Sequence, residues 1–495
     1  MTNEDQDSSG VQACELCIVG AGIAGMNALY AASRYLKPDD KVILVDRNPK
    51  PGGMWNQTYN YVRLHQPHRM FTAGDIPWEP ARTPAHLADR TEVLDHFDHC
   101  LQTLQAEVQL EQRYGCLYLS HREVEEADGS YSVLVECAEG DESGKRVQIK
   151  ARRCVKALGF QIPQNAALPF SSTNVRSISP DSFDLLGEEM RASDKPVYIV
   201  GGGKTAMDTA HALLSRFKDK QVSLMVGRGT VFTSRDTTFP TGLRRWWGGK
   251  TSLETFLELG LLFDGDNEDE VLDYFSAHYT TQLNPQCRQF VFGVLSQAEN
   301  DVIASGARDI VMDYVSDIID EGDATVMVLR SGERRVIERD AWIINCTGYV
   351  LREPHPYEPY LSEHGAVVSV QPTSTIHFLT SFDAYFLVHL FYLDKLQTLP
   401  LYELDFQGLN ECSKSALPFT AMVHLLYNIG LIVEAVPNSV MLNCGLDFDR
   451  WFPLHRRLFA VSRLRADGAH KRAHFRRALD RVCERFEVRC GPLVH

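Results

Sequence analysis

Two stretches, VGAGIAGMNALY from Val19 and VGGGKTAMDTAHALL from Val200, carry small residues at the spacing that phosphate binding needs. In the first, Gly20, Gly22 and Gly25 read G-x-G-x-x-G. The first glycine makes a tight turn, the second lets a pyrophosphate approach the backbone, and the third lets helix and strand pack closely. Free N–H groups and the helix dipole then favour the anion. In the second stretch Gly201, Gly203 and Ala206 read G-x-G-x-x-A. Each turn comes after an apolar strand and opens a helix, the context that separates a dinucleotide site from an incidental glycine turn.

The strands downstream of the two turns end differently. KVILVD ends at Asp46, 21 residues past Gly25, where a ribose hydroxyl needs an acceptor, and Arg47 comes next. QVSLMVGR instead ends at Arg228. An acid there would repel a 2′-phosphate, whereas an arginine accepts it with charge-assisted hydrogen bonds. The acid-marked turn therefore suits FAD and the arginine-marked one NADPH, and a chain holding both moves hydride from nicotinamide to flavin. Thr205 belongs to the second turn. Lys204 either adds charge near the phosphates or is a solvated first-turn lysine.

The order strand, glycine turn, helix, strand occurs twice, which is an α/β pattern. Between the units, YSVLVECAE and KRVQIKARRCVKALG alternate like an antiparallel hairpin layer. Residues from about Val231 to Ser305 read as mostly helical. ATVMVLRSG and ERRVIERDAWIINCTG return to strand.

Composition sets outer limits. The chain has 495 residues, 44% hydrophobic and 23% charged, enough for two or three domains. A net charge of −15 argues against a nucleic-acid binder and against docking on anionic lipid. MTNEDQDSSG has neither a basic nor an apolar segment of a secretory signal, so a cytoplasmic protein is expected. The stretch from Ala416 is long enough to span a membrane, but His424, Asn428 and Glu434 favour a buried helix over an integral anchor. The 12 cysteines are expected reduced, and no metal site is expected. The pair Cys14 and Cys17 leads into a strand rather than a helix, unlike a thioredoxin-type redox pair.

These residues resemble the class B flavoprotein monooxygenases: the flavin-containing, Baeyer–Villiger and N-hydroxylating monooxygenases. GAGIAG, then GGMW at Gly52 to Trp55, then GGGKTAMD, then NCTGY at Asn345 to Tyr349 keep that family's order. KALGFQIPQ from Lys156 resembles the strand end where its FAD domain crosses into its NADPH domain. The resemblance implies two nested Rossmann-like domains, the NADPH domain inserted in the FAD domain, with a helical insert and a C-terminal extension. The expected division is 1–170, 171–338 and 339–495. It further implies that NADPH reduces FAD, that the flavin captures O2 as a C4a-hydroperoxide, and that one oxygen passes to a small molecule. Gly53, Met54 and Trp55 would lie over the flavin, with Thr347 and Gly348 in the second strand-end motif. Gln66 occupies the segment where relatives place a polar side chain near the flavin C4a. His65 and Arg69 complete the candidate catalytic set. A histidine here could protonate substrate or peroxide, or be a loop histidine satisfied by backbone, as could His68.

One family fingerprint is missing. F-x-G-x-x-x-H should precede the second turn, yet FSSTNVRSISPDSFD has Ser179, Pro180 and Asp181 near the expected histidine. A disulfide reductase would need C-x4-C after the acid-ended strand, and DRNPKPGGMWNQ has no cysteine. Three readings remain: an NADPH-dependent monooxygenase, a reductase or oxidase without oxygen insertion, and a redox sensor. The enzyme is expected as a monomer or homodimer. Trp246 and Trp247 are either a lid between glycine hinges or, the better expectation, anchors of the insert on the core. The basic run near the C-terminus reads as a solvated face.

Overall fold

The computed structural model describes residues 11–348 and 351–493. The acidic N-terminal decapeptide and Tyr349 of the NCTGY motif lie outside the described residues.

The first sheet has seven strands. Val11–Val19 runs parallel to Lys41–Asp46 on one side and to Arg146–Lys156 on the other, with Gln109–Tyr114 beyond Lys41–Asp46. Leu16 to Val19 and Val42 to Val45 are at most 2% exposed, as parallel strands covered on both faces must be. Tyr131–Glu139 and Cys116–Glu125 add the antiparallel layer read from their alternation. The helix Ile23–Ser33 is buried nearly all round, because Thr380–Tyr392 covers the side the sheet does not.

The second sheet is parallel throughout. Its order is Asp309–Val311, Val222–Met225, Val197–Val200, Ala341–Asn345, Val175–Ile178. This moves the expected boundary at 338. Ala341–Asn345 lies inside the second sheet, not in the returning first domain. The apparently continuous run ERRVIERDAWIIN is broken at Asp340, whose φ is +61°. Before the break Arg334–Ile337 pairs with Ala324–Leu329; after it the chain enters the Rossmann-like sheet.

The two crossings between sheets are tied together. Asn165 Nδ2 donates to Thr347 O (2.7 Å), and Asn345 Nδ2 donates to Ala166 O (2.7 Å). The segment lacking the fingerprint serves this junction, since Asp181 accepts from Asn165 N (2.8 Å).

Residues 231–305 are mostly helical, as expected, and also hold a small sheet. Helices Ser252–Leu262, Glu268–Tyr279 and Gln297–Gly306 alternate with a small sheet of Thr230–Ser234, Thr280–Thr281 and Gln289–Leu295. Leu417–Ala435 is apolar and long enough to cross a bilayer, but most of it is buried beneath Ser252–Leu262 and Gly468–Phe486. Its Asn428 donates to Tyr402 O (2.9 Å) and Ile376 O (2.8 Å), and a His424 ring nitrogen lies 2.7 Å from Tyr402 O.

Two further expectations are corrected. Cys483 and Cys490 form a disulfide, so the thiols are not all free. Trp246 and Trp247 are 48% and 81% exposed and anchor nothing in the core. Cys14 and Cys17 sit in the first strand; burial first of all pushes Cys14 up to about 12, and both thiols stay protonated.

Candidate functional site

The first turn is closed by sterics. Gly20 has φ +106°, and a Cβ there would stand 2.5 Å from Ala157 O. A Cβ on Gly25 would meet Gly20 O at 1.8 Å, so only glycine lets this helix approach its strand. Gly22 begins the helix without a side-chain cap, which leaves its first-turn N–H groups for an anion. Gly22 also faces the Gly52–Gly53 loop, with Gly53 Cα 3.4 Å from its missing Cβ position.

Asp46 is buried and already employed. Its Oδ2 accepts from Ala21 N (2.6 Å), and its Oδ1 accepts from Asn48 N (2.7 Å) and Asn48 Nδ2 (2.9 Å). It fastens the turn to the second strand while lone pairs remain for a ribose hydroxyl. Arg47 is exposed. In the GGMW loop Trp55 is buried against Phe71, its carbonyl accepting from Arg90 Nε (2.8 Å), whereas Met54 is 48% exposed.

The second turn repeats the first corner and opens at the next. Gly201 has φ +135°, and its Cβ would come 2.4 Å from Cys346 O. A Cβ on Gly203, by contrast, meets nothing within 4 Å. Gly203 caps Lys204–Arg216 with no side-chain bond, so backbone donors face open space. Arg228 is exposed, with no side-chain partner among the described residues, and is free to take a 2′-phosphate. Lys204 is not free: its ammonium pairs with Asp208, which also accepts from Tyr59 Oη (3.1 Å). Thr205 starts the helix beside it. Asn345 orders the NCTG turn by accepting from Thr347 N (3.0 Å) and Thr347 Oγ1 (2.7 Å). Gly348 turns with φ +53° beside the Arg352 guanidinium. Thr347 and Gly348 thus lie at the second turn's side of the molecule.

Against the loop that follows the first unit lies a cavity of about 570 Å³. The loop after the first unit supplies His65, Gln66, Met70 and Phe71, and the start of the insert supplies Thr233, Asp236, Thr237, Thr238 and Pro240. The insert adds Phe256, Phe275, Tyr279, Phe290 and Phe292, and the C-terminal part adds Phe378, Phe382 and Met422. Gln66 and His65 therefore belong to the cavity wall. Arg69 is exposed and is not among the residues that line it.

His65 is not a proton donor near neutrality. Burial, then the charges of Lys204 and Arg235, lower its pKa to about 3, outweighing Glu299. Burial pushes Glu299 up, but Arg235 and Lys204 outweigh that and hold it at about 2. Arg235 bridges the two regions, pairing with Glu299 (2.6 Å) and donating from Nε to His65 O (2.9 Å). His68 is the satisfied histidine: it is 1% exposed, its ring nitrogen 3.1 Å from His86 O.

The cavity aromatics and the Arg235–Glu299 pair escaped the sequence reading. One local signal exists in QFVFGVL, where Phe290 and Phe292 stand two apart in a strand. Phe292 has φ +57°, and the pairing of its strand with Thr230–Ser234 shifts register there, a bulge that re-aims side chains at the cavity.

Residues 14–243 match the pyridine nucleotide-disulphide oxidoreductase family. That match covers 230 of the chain's 495 residues and is a likeness of that part alone. Uncharacterised proteins of Mycobacterium bovis and of two strains of Mycobacterium tuberculosis are 29% identical over 210 residues, 40% of this chain and 35% of each relative. The chain thus spans about a third of the length of the curated relatives it matches. Among solved structures, an oxidised steroid monooxygenase bound to NADP is similar over 91% of this chain and 97% of its own, at 13% identity and TM-score 0.49. A cyclohexanone monooxygenase variant from Rhodococcus sp. Phi1 bound to NADP+ covers 79% and 88%, at 12% and 0.49. The bacillithiol disulfide reductase of Staphylococcus aureus covers 78% and 99%, at 12% and 0.44. Likeness of this size goes no further than the path of the chain.

Proposed function

We propose that this chain is an NADPH-dependent FAD monooxygenase that oxygenates an apolar small molecule with O2. The observation that carries the reading is the cavity. It is walled by the first unit's loop, the insert and the C-terminal part together, is rich in phenylalanine, and has no cysteine among the described residues that line it. Oxygen transfer needs a chamber that excludes water from a reactive flavin, and an aromatic wall supplies it. Disulfide exchange would need a thiol pair there, so the disulfide-reductase branch of the matched family is not supported.

The protein groups take defined parts. The bare N–H groups at Gly22 and Gly203 hold the two pyrophosphates, Asp46 the FAD ribose, and Arg228 the NADPH 2′-phosphate. FAD, when bound, supplies the electrons taken from NADPH and the site of O2 activation. Gln66 offers amide donor and acceptor at the wall, and neutral His65 orients without charging. N- or S-oxygenation and carbonyl insertion both fit this arrangement.

The test is anaerobic reduction of the purified protein by NADPH and by NADH, then addition of aerated buffer with a panel of apolar sulfides, amines and ketones. Faster reduction by NADPH, and NADPH consumption matched by oxygenated product, are expected. Stoichiometric hydrogen peroxide with every candidate would instead make the chain an oxidase or reductase.

A further inference from the structure

Two pieces of the helical periphery meet at the cavity's rim and leave apolar side chains in water. On the short helix Leu243–Trp247, Leu243 is 80% exposed, Trp246 48% and Trp247 81%. On Leu454–Arg465, Leu454, Leu458 and Phe459 are 53%, 58% and 59% exposed. The two pieces are joined. Trp247 lies 6.1 Å from the His455 ring, and Arg456 donates to Gly248 O (2.6 Å) and Gly249 O (2.8 Å). Isolated exposed apolar residues are ordinary, but six on adjoining helices make a patch with a purpose.

The second helix is amphipathic in a particular sense. Ala460 and Leu464 face the protein, while Leu454, Leu458 and Arg465 share the outward stripe at i, i+4 and i+11. Apolar and cationic groups therefore point outward together. Arg244 and Arg463 are exposed on the same two helices. From Leu454 to Phe486 the sequence has ten Lys and Arg against three Asp and Glu, in a chain whose net charge is −15. A second copy docking by two-fold symmetry would set this face on itself, arginine opposite arginine. Tryptophan beside arginine suits the headgroup layer of a bilayer. The chain's overall negative charge is felt weakly there, because salt screens it within about 8 Å.

We propose that this face docks reversibly on an anionic lipid bilayer. Trp246, Trp247, Leu454, Leu458 and Phe459 enter the headgroup layer, and Arg244, Arg463 and Arg465 meet the lipid phosphates. Arg244 on the helix Leu243–Trp247 and Gly248, Gly249 and Lys250 just after it line the cavity, so the docked face adjoins the rim through which an apolar molecule would pass from lipid.

The experiment is flotation of the full chain with vesicles of phosphatidylcholine alone or with about one-third phosphatidylglycerol, read with tryptophan fluorescence. Binding to the anionic vesicles with a blue shift is expected, weakened by raised salt. Trp246→Ser with Trp247→Ser should lower the bound-to-free ratio at least about ten-fold. Leu458→Ser should lower it on the other helix, while Arg463→Gln with Arg465→Gln should erase the preference for anionic over neutral vesicles. All of these side chains are exposed, and unchanged unfolding temperatures verify that the variants fold. No flotation with anionic vesicles at low salt overturns the proposal. So does a tryptophan variant that floats like the parent, or one whose only change is from dimer to monomer.

Discussion

Gly20 and Gly201 occupy equivalent corners, with φ +106° and +135° and a neighbouring carbonyl, Ala157 O or Cys346 O, filling the space of a Cβ. Two residues later in the motif the resemblance stops. Gly22 is roofed by Gly53, whereas Gly203 faces open space. The residues that follow on the second strands differ as well: Asp46 is buried and bonded into its turn, and Arg228 is exposed and free. On the function proposed above, the same corner would serve two residence times. A covered, internally braced turn suits a cofactor that stays, and an open one with a waiting cation suits a co-substrate that must leave after each reduction.

The comparison can be broken at its stiffest point first. Gly25→Ala puts a methyl group 1.8 Å from Gly20 O. The expected outcome is loss of bound FAD and a large fall in unfolding temperature, read by flavin absorbance and calorimetry. Ala206 already carries a methyl at the matching place in the second turn and is fully buried, so that unit tolerates a group the first does not. Next, Arg228→Ala should raise the KM for NADPH about 10- to 100-fold, with little change for NADH and none in FAD content. Steady-state kinetics with both nucleotides checks it. Gly203→Ala has no steric conflict in the protein itself, and should fold like the parent and raise the NADPH KM by about ten-fold as its methyl meets the pyrophosphate.

The smallest effect concerns protons. His65 and His377 are lowered to about 3, and His424 to about 4, by burial above all. Their folded pKa values lie below the unfolded value of about 6.5, so the unfolded chain binds more protons in between. The stability they contribute is full above pH 6.5 and is lost as pH falls toward 3. The unfolding temperature should therefore decline on acidification through that window, less steeply in His65→Gln. Replacing His65 should also leave the pH profile of kcat/KM without a lost inflection between pH 6 and 8.

The two glycine turns were legible because they are local. A glycine turn, its strand and its helix occupy some thirty residues, with Asp46 at the end of the next strand in the first unit and Arg228 three residues past it in the second. The domain boundary was less legible, since Asp340 at positive φ divides an apparently single strand between two sheets. The cavity was hidden for a different reason. Phe71, Phe256, Phe292, Phe378 and Phe448 come from separate elements, and only tertiary packing converts them into one wall. A whole-chain net charge of −15 likewise contains a segment, Leu454 to Phe486, with ten Lys and Arg against three Asp and Glu.

The paired crossings have a consequence for how the molecule comes to exist. Val367 completes the first sheet by pairing with Cys154, although roughly two hundred residues and an entire Rossmann-like unit separate them in the chain. Closing so long a loop from an unfolded intervening chain is slow, and prior folding of that unit brings its ends together, as the reciprocal bonds of Asn165 and Asn345 keep them. Assembly during synthesis is then ordered from the inside outward. The inserted unit matures first, the outer sheet receives its last strand afterwards, and a chain interrupted before Val367 carries an unfinished sheet edge open to pairing with its neighbours.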